Sequence, residues 1–294
     1  MMHIPVMLDE VLEILNPTPG GIYVDATVGL GGHAMAILRR ISPEGKLIGI
    51  DRDEKALKLA SEVLKGENVK LLKANFRQIK ELLESLGVME IDGVLFDLGV
   101  SSLQIEDEER GFSFLKDGPL DMRMGDDTEL RAVDLVNELS LEELVRIFKL
   151  YGEEKNAYII AKAIVNRRKK QRIERTLDLV RILREVLPKP LQRRMGKHPA
   201  RRVFQALRIA VNDELESLKD GLRGAFALLK IGGVICVISY HSLEDRIVKS
   251  YFRELSEKGL AELCVKGALR PKEEEIASNP RSRSAKLRAV RRLI

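Results

Sequence analysis

The sequence predicts an α/β fold, in which a doubly wound parallel sheet carries an inserted all-helical domain after strand four. Short apolar segments alternate with segments of helical periodicity over the first hundred residues. Between residues 106 and 211 the helical periodicity continues without a convincing strand, and the alternation returns from residue 214 onwards. A β-α-β-α-β-α-β order is typical of a parallel sheet with helices on both faces.

The first elements follow from apolar spacing and from Gly and Pro breaks. Leu8, Val11, Leu12 and Leu15 recur at helical spacing, and Pro17-Thr18-Pro19-Gly20-Gly21 ends that helix. Apolar runs then predict strands at residues 22–27, 47–51, 69–72 and 91–97. The segments between them predict helices at residues 33–41, 55–64 and 79–86.

The remaining elements divide the chain into two predicted domains. The insertion contains amphipathic helices at residues 141–150, 157–168 and 177–187. After it come a helix at 214–229, a stop and turn at 231–233, a strand at 234–239, a helix at 246–255, and strands at 262–266 and 285–290. We therefore expect residues 1–105 and 212–294 to form the α/β domain, and residues 106–211 the inserted helical domain.

Composition excludes several classes of protein. Hydrophobic residues make up 45% of the 294 and charged residues 32%, which predicts a packed core and a heavily charged surface. No apolar run approaches the roughly 18 residues of a membrane span, and the N-terminus lacks the pattern of a secretory signal. The two cysteines, Cys236 and Cys264, have no metal-ligand spacing. We expect a cytoplasmic protein without a metal site.

Positive charge is concentrated in two parts of the chain. Residues 160–210 hold sixteen Lys or Arg against three acids, a net charge of +13, whereas residues 106–159 have a net charge of −8. Residues 281–294 hold six basic residues and no acid. Such clusters favour phosphate-bearing partners, although solvated helix faces are the alternative. The candidate nucleic-acid contacts are Arg167, Arg168, Lys169, Lys170, Arg193, Arg194, Lys197, Arg201 and Arg202.

A glycine turn, Gly29-Leu30-Gly31-Gly32-His33, links the first predicted strand to the helix that follows. Glycine permits close backbone approach, and the helix N-terminus then faces the ligand. Asp51 follows Gly31 by twenty residues at the end of strand two, where an acid accepts hydrogen bonds from ribose hydroxyls. This pattern indicates a cofactor that contains adenosine. Spacing alone leaves S-adenosylmethionine and NAD both open, and an ordinary tight turn is the structural alternative.

Three further groups of residues have both a functional and a structural reading. Phe76, after strand three, either stacks on the adenine or belongs to the core. Ser239-Tyr240-His241 follows strand five, and Ser242-x-x-Asp245 has the spacing of a capping box, which leaves Tyr240 and His241 unexplained. A third group either contacts a base or, more often for such residues, anchors a loop on the core: Phe112, Phe114, Met122 and Met124.

Long motifs give the chain a resemblance to a known family. They are His3-Ile4-Pro5-Val6-Met7, the Gly-Gly-His turn, Phe96-Asp97-Leu98-Gly99-Val100-Ser101-Ser102, Arg110-Gly111-Phe112-Ser113-Phe114, Pro119-Leu120-Asp121-Met122-Arg123-Met124, residues 198–209, residues 239–246 and residues 279–288. The turn resembles motif I of class I methyltransferases, with Thr27 where many members have glycine. Taken together, and over nearly the whole chain, the motifs resemble the bacterial RsmH (MraW) family.

The resemblance implies a Rossmann-like class I methyltransferase fold that uses S-adenosylmethionine. It implies methylation of N4 of a cytidine in the decoding region of 16S ribosomal RNA, so that the RNA or the small ribosomal subunit is the partner and no obligate protein partner is indicated. It also implies the cofactor contacts Gly31, Gly32, His33, Asp51, Phe76, Asp97 and Gln104.

The catalytic residues follow from the stretch after strand four, which departs from a common pattern. Many amino methyltransferases have Asp/Asn/Ser-Pro-Pro-aromatic there, whereas this chain has Asp97-Leu98-Gly99-Val100. A cytosine amine needs an acceptor beside it, because its lone pair is delocalised into the ring. The hypothesis is that Asp97, or a carbonyl of its turn, accepts from N4 while the Tyr240-His241 loop encloses the base.

Three other functions stay open from the sequence. A nicotinamide-dependent oxidoreductase fits the glycine spacing, although no second domain with a catalytic His, Lys or Tyr set is evident. A non-catalytic RNA-binding assembly factor could share the fold. A methyltransferase of small molecules fits least well, because it leaves the +13 segment without a purpose.

Overall fold

The computed structural model describes residues 4–190 and 198–294. The chain divides into two compact units, which we call the sheet unit (Met1–Gly99 and Leu215–Ile294) and the helical unit (Val100–Glu214). The limits predicted from sequence, 105/106 and 211/212, lie a few residues after the first structural boundary and a few before the second. Among the described residues no helix is both long and apolar enough to cross a membrane.

The sheet unit contains seven strands and seven helices among its described residues. The strands are β1 Ile22–Asp25, β2 Lys46–Asp51, β3 Val69–Lys73, β4 Ile91–Asp97, β5 Leu229–Ser239, β6 Ala261–Leu263 and β7 Lys286–Arg292. The helices, numbered along the whole chain, are α1 Leu8–Leu15, α2 Gly32–Ile41, α3 Glu54–Val63, α4 Ile79–Ser85, α11 Glu214–Leu228, α12 Ser242–Glu257 and α13 Glu273–Ser278.

The strand order is β3-β2-β1-β4-β5-β7-β6. Strands β1 to β5 are parallel, and β7 runs antiparallel to both β5 and β6. The chain first builds the sheet outward from β1 through β2 to β3, and then continues from β4 on the other side of β1. Such a switch point, at the carboxyl ends of β1 and β4, is where open α/β sheets bind their ligands.

Apolar side chains on the two faces of the sheet form separate cores. Phe96 of β4 packs in a cluster with Leu222 of α11 and Phe252 of α12. Its neighbour Leu95 points to the other face, in a cluster with Ile37 of α2. Because successive side chains of a strand alternate between faces, a continuous apolar run such as residues 94–96 indicates a strand buried on both sides. This double burial fixes the positions of the strand ends.

The helical unit has its own core. Its helices are α5 Ser102–Glu106, α6 Ala132–Glu138, α7 Leu141–Leu150, α8 Ala157–Arg168, α9 Thr176–Val186 and α10 Arg201–Asn212. Phe112, Met122 and Met124 are buried in this core, and Phe114 packs against it while stacking on His198 at 4.7 Å between ring centroids. Their reading as loop anchors is therefore confirmed.

The structure differs from the sequence prediction in several elements, of which three in the second half of the sheet unit are the clearest. Residues 231–233, expected to form a turn before strand five, belong to β5, which begins at Leu229. Its pairing shifts register between Ile91 and Gly93 of β4, and Gly232 has φ of 83°. Glycine thus allows an irregularity inside a strand, where the sequence suggested a break. Strand β6 ends at Leu263, before the predicted 266, and α13 was not predicted.

Candidate active site at the carboxyl edge of the sheet

Three aspartates end three neighbouring strands of the sheet unit. Asp25 is the last residue of β1, Asp51 of β2 and Asp97 of β4. Burial raises the pKa of Asp25 to about 7, of Asp51 to about 6 and of Asp97 to about 7. The Asp97 side chain keeps 18% of its surface exposed, so a reacting group can reach it. The edge therefore presents carboxyls that titrate near neutral pH, which is typical of functional sites.

The glycine turn is tied to Asp51. Gly29 donates its N–H to Asp51 Oδ2 over 2.9 Å, and Asp53 donates to Oδ1 over 2.9 Å. Gly31, with φ of 83°, precedes α2 in a left-handed conformation that suits glycine. The Arg52 N–H also hydrogen-bonds to this carboxylate, whose two oxygens together have about four lone-pair sites, so acceptor capacity remains for a ribose hydroxyl. The predicted cofactor contacts Gly31 and Asp51 thus belong to one hydrogen-bonded turn.

The N-terminal segment packs on the same turn. A Cβ added to Gly32 would lie 2.6 Å from Pro5 Cγ, so the contact requires glycine. Val6 is held through its carbonyl, which accepts from His33 Nε2 over 2.9 Å. Met7 donates its N–H to Glu275 Oε1 of α13 over 2.8 Å. The segment is therefore fixed to the turn by α2 on one side and by α13 on the other.

Asp97 is held by three neighbours. Tyr240 donates its hydroxyl to Asp97 Oδ1 over 2.8 Å, and His33 Nδ1 lies 3.7 Å from Oδ2. The Asp97 backbone N–H donates to Thr27 Oγ1 over 2.7 Å. Thr27 stands where related motifs often have glycine, and its hydroxyl joins the end of β1 to the end of β4. The predicted residues His33, Asp97 and Tyr240 thus lie together.

The Tyr240-His241 loop starts α12 with a capping box one residue earlier than predicted. His241 is the N-cap: its Nδ1 accepts from the Glu244 N–H, and the Glu244 carboxylate accepts from the N–H groups of Tyr240 and His241. Ser242 and Asp245 were predicted for these roles. Asp245 instead pairs with Lys286 and Arg288, which fixes β7 rather than the helix start. His241 accordingly has a structural task.

Phe76 begins a short 3-10 helix after β3, at the same edge of the sheet. Its ring is partly buried and meets Phe96 edge-on, with 5.5 Å between centroids. A Cβ on Gly221 would lie 2.8 Å from Phe76 Cδ2, so one side of the ring is packed against α11. This side of the ring therefore belongs to the core. Stacking of the rest of the ring on adenine stays a prediction.

Gln104 belongs to the helical unit and is 5% exposed. Its Oε1 accepts from the Ser101 N–H, and the Ser101 hydroxyl accepts from the Gln104 N–H, so the pair forms the capping box of α5. Its Nε2 donates to the Met124 carbonyl over 3.4 Å. The predicted cofactor contact of Gln104 stays a prediction.

The predicted RNA contacts of the helical unit differ in their surroundings. Arg168 donates to the carbonyls of Val136 and Leu139, at 2.8 and 2.6 Å, and so caps the end of α6. Arg167 pairs with Glu185, and Arg202 lies 3.9 Å from the buried Glu154. Lys169, Lys170 and Arg202 are exposed, and Arg201 is partly exposed. Arg193, Arg194 and Lys197 lie outside the described residues.

The second basic cluster, residues 281–294, is mostly structural. Lys286 and Arg288 pair with Asp245, and Arg291 pairs with Glu262. Arg292 donates to the Leu229 carbonyl and lies over the Phe226 ring. Only Arg281 and Arg283 of this cluster lie outside β7, on an exposed turn. Most of the basic residues in this cluster, which suggested a phosphate-bearing partner, therefore form contacts within the sheet unit instead.

Sequence reasoning missed three residues of the site. Asp25 could have been found by the rule that identified Asp51 and Asp97, because it also ends a strand of the sheet. Thr27 was noted only as a departure from a motif. Glu244 is 2% exposed and holds the Tyr240 backbone, a role that a helical spacing of charges does not reveal.

Comparison with known proteins adds the family context. The model of the MraW methylase family matches residues 1–293. "Ribosomal RNA small subunit methyltransferase H" of Caldicellulosiruptor bescii is 47% identical to this chain, and the alignment covers 99% of both. The proteins of the same name from Symbiobacterium thermophilum and Syntrophotalea carbinolica are 48% and 49% identical, over 99% of this chain and 96% and 98% of theirs.

Proposed function

The chain belongs to the MraW methylase family, and from that premise we propose that it methylates N4 of a cytidine in the decoding region of 16S ribosomal RNA, with S-adenosylmethionine as the methyl donor. The observation that carries this proposal is the juxtaposition of Asp97 and Tyr240 beside the glycine turn. An rRNA methyltransferase of this kind needs a cofactor turn and an acceptor for an amine at one edge of its sheet.

The residues of the turn fit the cofactor. S-adenosylmethionine supplies a methyl group on a sulfonium and carries a ribose and an adenine. The carboxylate of Asp51 has lone pairs for the ribose hydroxyls beside its backbone hydrogen bonds, and Gly31 and Gly32 lead into the N-terminus of α2. Phe76 offers the adenine an aromatic surface at the end of β3. NAD shares the ribose and adenine, so these contacts alone do not exclude it.

Asp97 has the properties that the amine requires. A partly exposed carboxyl whose pKa is about 7 is an effective base near neutral pH. It accepts the N4 hydrogen, which leaves more of the nitrogen lone pair for the methyl carbon. Tyr240 fixes the carboxyl plane through Oδ1. Methyl transfer then depends mainly on holding the amine in line, a contribution of about 7–11 kcal/mol in favourable cases.

The helical unit provides the RNA-binding surface of this proposal. The exposed side chains of Lys169, Lys170 and Arg202 are available to phosphates. Arg193, Arg194 and Lys197 belong to the same predicted set and lie outside the described residues. Arg168 has a structural part in this surface, because it caps the end of α6. Aromatic residues are scarce in this part of the sequence, so the contacts suit the backbone rather than the bases.

The test is methyl transfer to small-subunit particles and to naked 16S RNA, followed by mass spectrometry of the digested RNA. We expect label in N4-methylcytidine at one position of the RNA. The same nucleotide should be unmodified in RNA from cells that lack the gene. Label at another atom or base would contradict the proposal. RNA binding without transfer would indicate an assembly factor, and tight binding of NAD without S-adenosylhomocysteine binding would indicate an oxidoreductase.

A further inference from the structure

The hydrogen bond of His33 fixes where its ring protons lie. Nε2 is 2.9 Å from the Val6 carbonyl oxygen, and a carbonyl only accepts, so Nε2 carries a proton. The ring is 6% exposed, and its burial lowers the His33 pKa. The neutral ring therefore has its proton on Nε2 and an unprotonated Nδ1, whose lone pair accepts hydrogen bonds.

Nδ1 is the atom that faces Asp97. It lies 3.7 Å from Asp97 Oδ2, longer than a hydrogen bond, while Oδ1 is occupied by the Tyr240 hydroxyl. The two carboxyl oxygens thus have opposite surroundings: a donor stands at Oδ1 and an acceptor at Oδ2. A carboxyl in this setting is best protonated on Oδ2, because a proton there removes the repulsion between the ionised oxygen and the facing Nδ1 lone pair.

We propose that His33 is a positioning residue for catalysis, which presents its Nδ1 lone pair to Asp97 so that the carboxyl takes up the amine proton on Oδ2. This inference rests on the proposed function for the identity of the amine. In the step, the S–CH3 bond breaks with its electron pair on sulfur, and a bond forms between N4 and the methyl carbon. One N4 proton moves to Asp97 Oδ2, where it faces the lone pair of His33 Nδ1.

The other charged groups around the pair are consistent with this arrangement. Asp97 is also faced by Glu244 of α12, which raises its pKa, while the Tyr240 hydrogen bond lowers it. Asp25 of β1 is a second carboxyl that interacts electrostatically with Asp97. His33 is faced by Asp25 of β1 and Glu275 of α13, which raise its pKa against the effect of burial. The acids around Asp97 therefore favour its protonated form, and the Tyr240 hydrogen bond limits the rise, so that the Asp97 pKa is about 7.

The decisive experiment follows the Asp97 carboxyl carbon by NMR in the free protein as pH is changed. His33→Gln keeps a donor for the Val6 carbonyl and removes the Nδ1 lone pair. We expect the Asp97 midpoint to fall by about one pH unit, because the ionised carboxylate no longer faces a lone pair. Tyr240→Phe removes the donor at Oδ1, and the midpoint is expected to rise by about the same amount.

Activity provides the second measurement. In His33→Gln, kcat should fall about tenfold at pH 8 because the base is weaker, and its pH profile should move to lower pH with the NMR midpoint. Affinity for S-adenosylhomocysteine is measured in parallel, because His33 is also a predicted cofactor contact, and the loss in kcat should exceed any loss of affinity, since the proposed role is exerted through Asp97. His33→Asn, which places an amide near the Nδ1 position, serves in the same measurements if the Gln variant does not fold.

An Asp97 midpoint that is unchanged in both His33 variants overturns the inference. So does a loss of S-adenosylhomocysteine affinity that accounts for the whole loss of activity, because His33 would then act on the cofactor. The titration needs neither RNA nor cofactor. If wild-type protein does not methylate 16S RNA, the proposed function fails while the midpoint shifts still report the coupling of His33 to Asp97.

Discussion

At the scale of single residues, environment rather than residue type separates the three aspartates of the active edge. All three end parallel strands and are poorly solvated, yet their partners differ. Asp51 accepts from backbone N–H groups of Gly29, Arg52 and Asp53, as suits a fixed hydrogen-bond acceptor for a cofactor. Asp97 faces a hydroxyl donor and an imidazole, as suits a base. Asp25 is 1% exposed and accepts from the Thr27 N–H, which indicates a structural role.

Asp97→Asn tests the role of the base. The amide cannot take up a proton, so we expect kcat at saturating S-adenosylmethionine to fall at least about 100-fold, beyond any loss of cofactor affinity at this predicted contact. In the wild-type protein, kcat/KM should rise with pH through about 7, because only the ionised carboxylate is a base. Calorimetry and single-turnover assays measure both. Full turnover in Asp97→Asn would remove Asp97 from the mechanism.

Asp25→Asn tests the cost of the buried carboxyl. Its folded-state pKa of about 7 lies above the ordinary value of 3.8, so the stability that this group contributes is present below pH 4 and is lost as pH rises through 7. The variant should therefore have a higher free energy of unfolding than wild type at pH 8, by on the order of 1–3 kcal/mol, and no such advantage near pH 4.

Urea titration of the free protein at both pH values measures this difference. The control is Glu13→Gln, an exposed substitution on α1 that should give no pH-dependent gain. A gain for Asp25→Asn that is equal at the two pH values would mean that its pKa is not raised in the folded state.

At the scale of elements, α2 organises the cofactor turn and the N-terminal segment together. Its first residue, Gly32, touches Pro5, and its second, His33, bonds to Val6. The positions of α1, α2, β2 and β4 were predicted from apolar spacing almost to the residue. The contact of the N-terminal segment with α2 was not, because periodicity identifies which face of a helix is apolar and not which distant segment covers it.

Gly32→Ala tests this contact. The new Cβ would lie 2.6 Å from Pro5 Cγ, so the N-terminal segment must move while α2 itself accepts alanine well. We expect affinity for S-adenosylhomocysteine to fall about tenfold by calorimetry, a change of about 1.4 kcal/mol. Arg39→Ala, an exposed change in the last turn of the same helix, should leave the affinity unchanged. Unaltered affinity in Gly32→Ala would separate the segment from cofactor binding.

Two substitutions at the end of α8 test the proposed RNA-binding surface. Lys169→Glu with Lys170→Glu reverses two exposed charges and should weaken binding of 16S RNA fragments, with a salt dependence shallower by about two counterions. The matched control is Lys58→Glu with Lys65→Glu, two exposed lysines of the sheet unit. Fluorescence anisotropy over a range of salt concentrations gives both slopes. An equal loss in the two variants would indicate net charge rather than a defined surface.

At the scale of the whole molecule, two units with separate cores share one chain. The sheet unit contains the residue proposed to take up the amine proton and all the predicted cofactor contacts except Gln104, and the helical unit contains the exposed basic residues predicted to meet RNA. This division predicts that cofactor binding is a property of the folded sheet unit and not of the basic segment.

Ligand-dependent stability of the full chain tests this prediction. S-adenosylhomocysteine at about 100 times its Kd should stabilise the folded protein by about 2.7 kcal/mol, whereas NAD at the same concentration should not. The rise in Tm should persist in the Lys169→Glu, Lys170→Glu variant. A rise in Tm with NAD alone would instead indicate a nicotinamide-dependent oxidoreductase, because the glycine spacing fits both cofactors.

The sequence by itself determined the strand and helix order, the glycine turn with Asp51, and the family, because each is written in local spacing or in contiguous motifs. Only the tertiary structure decided which side chains meet. It placed His33 and Tyr240 on opposite oxygens of Asp97, gave the capping box to His241 and Glu244, and committed Lys286, Arg288 and Arg168 to structural bonds. The burial of a charged side chain and its hydrogen-bond partners decide whether it is a surface contact, a helix cap or, as proposed for Asp97, a base. Residue type and spacing reveal neither the burial nor the partners.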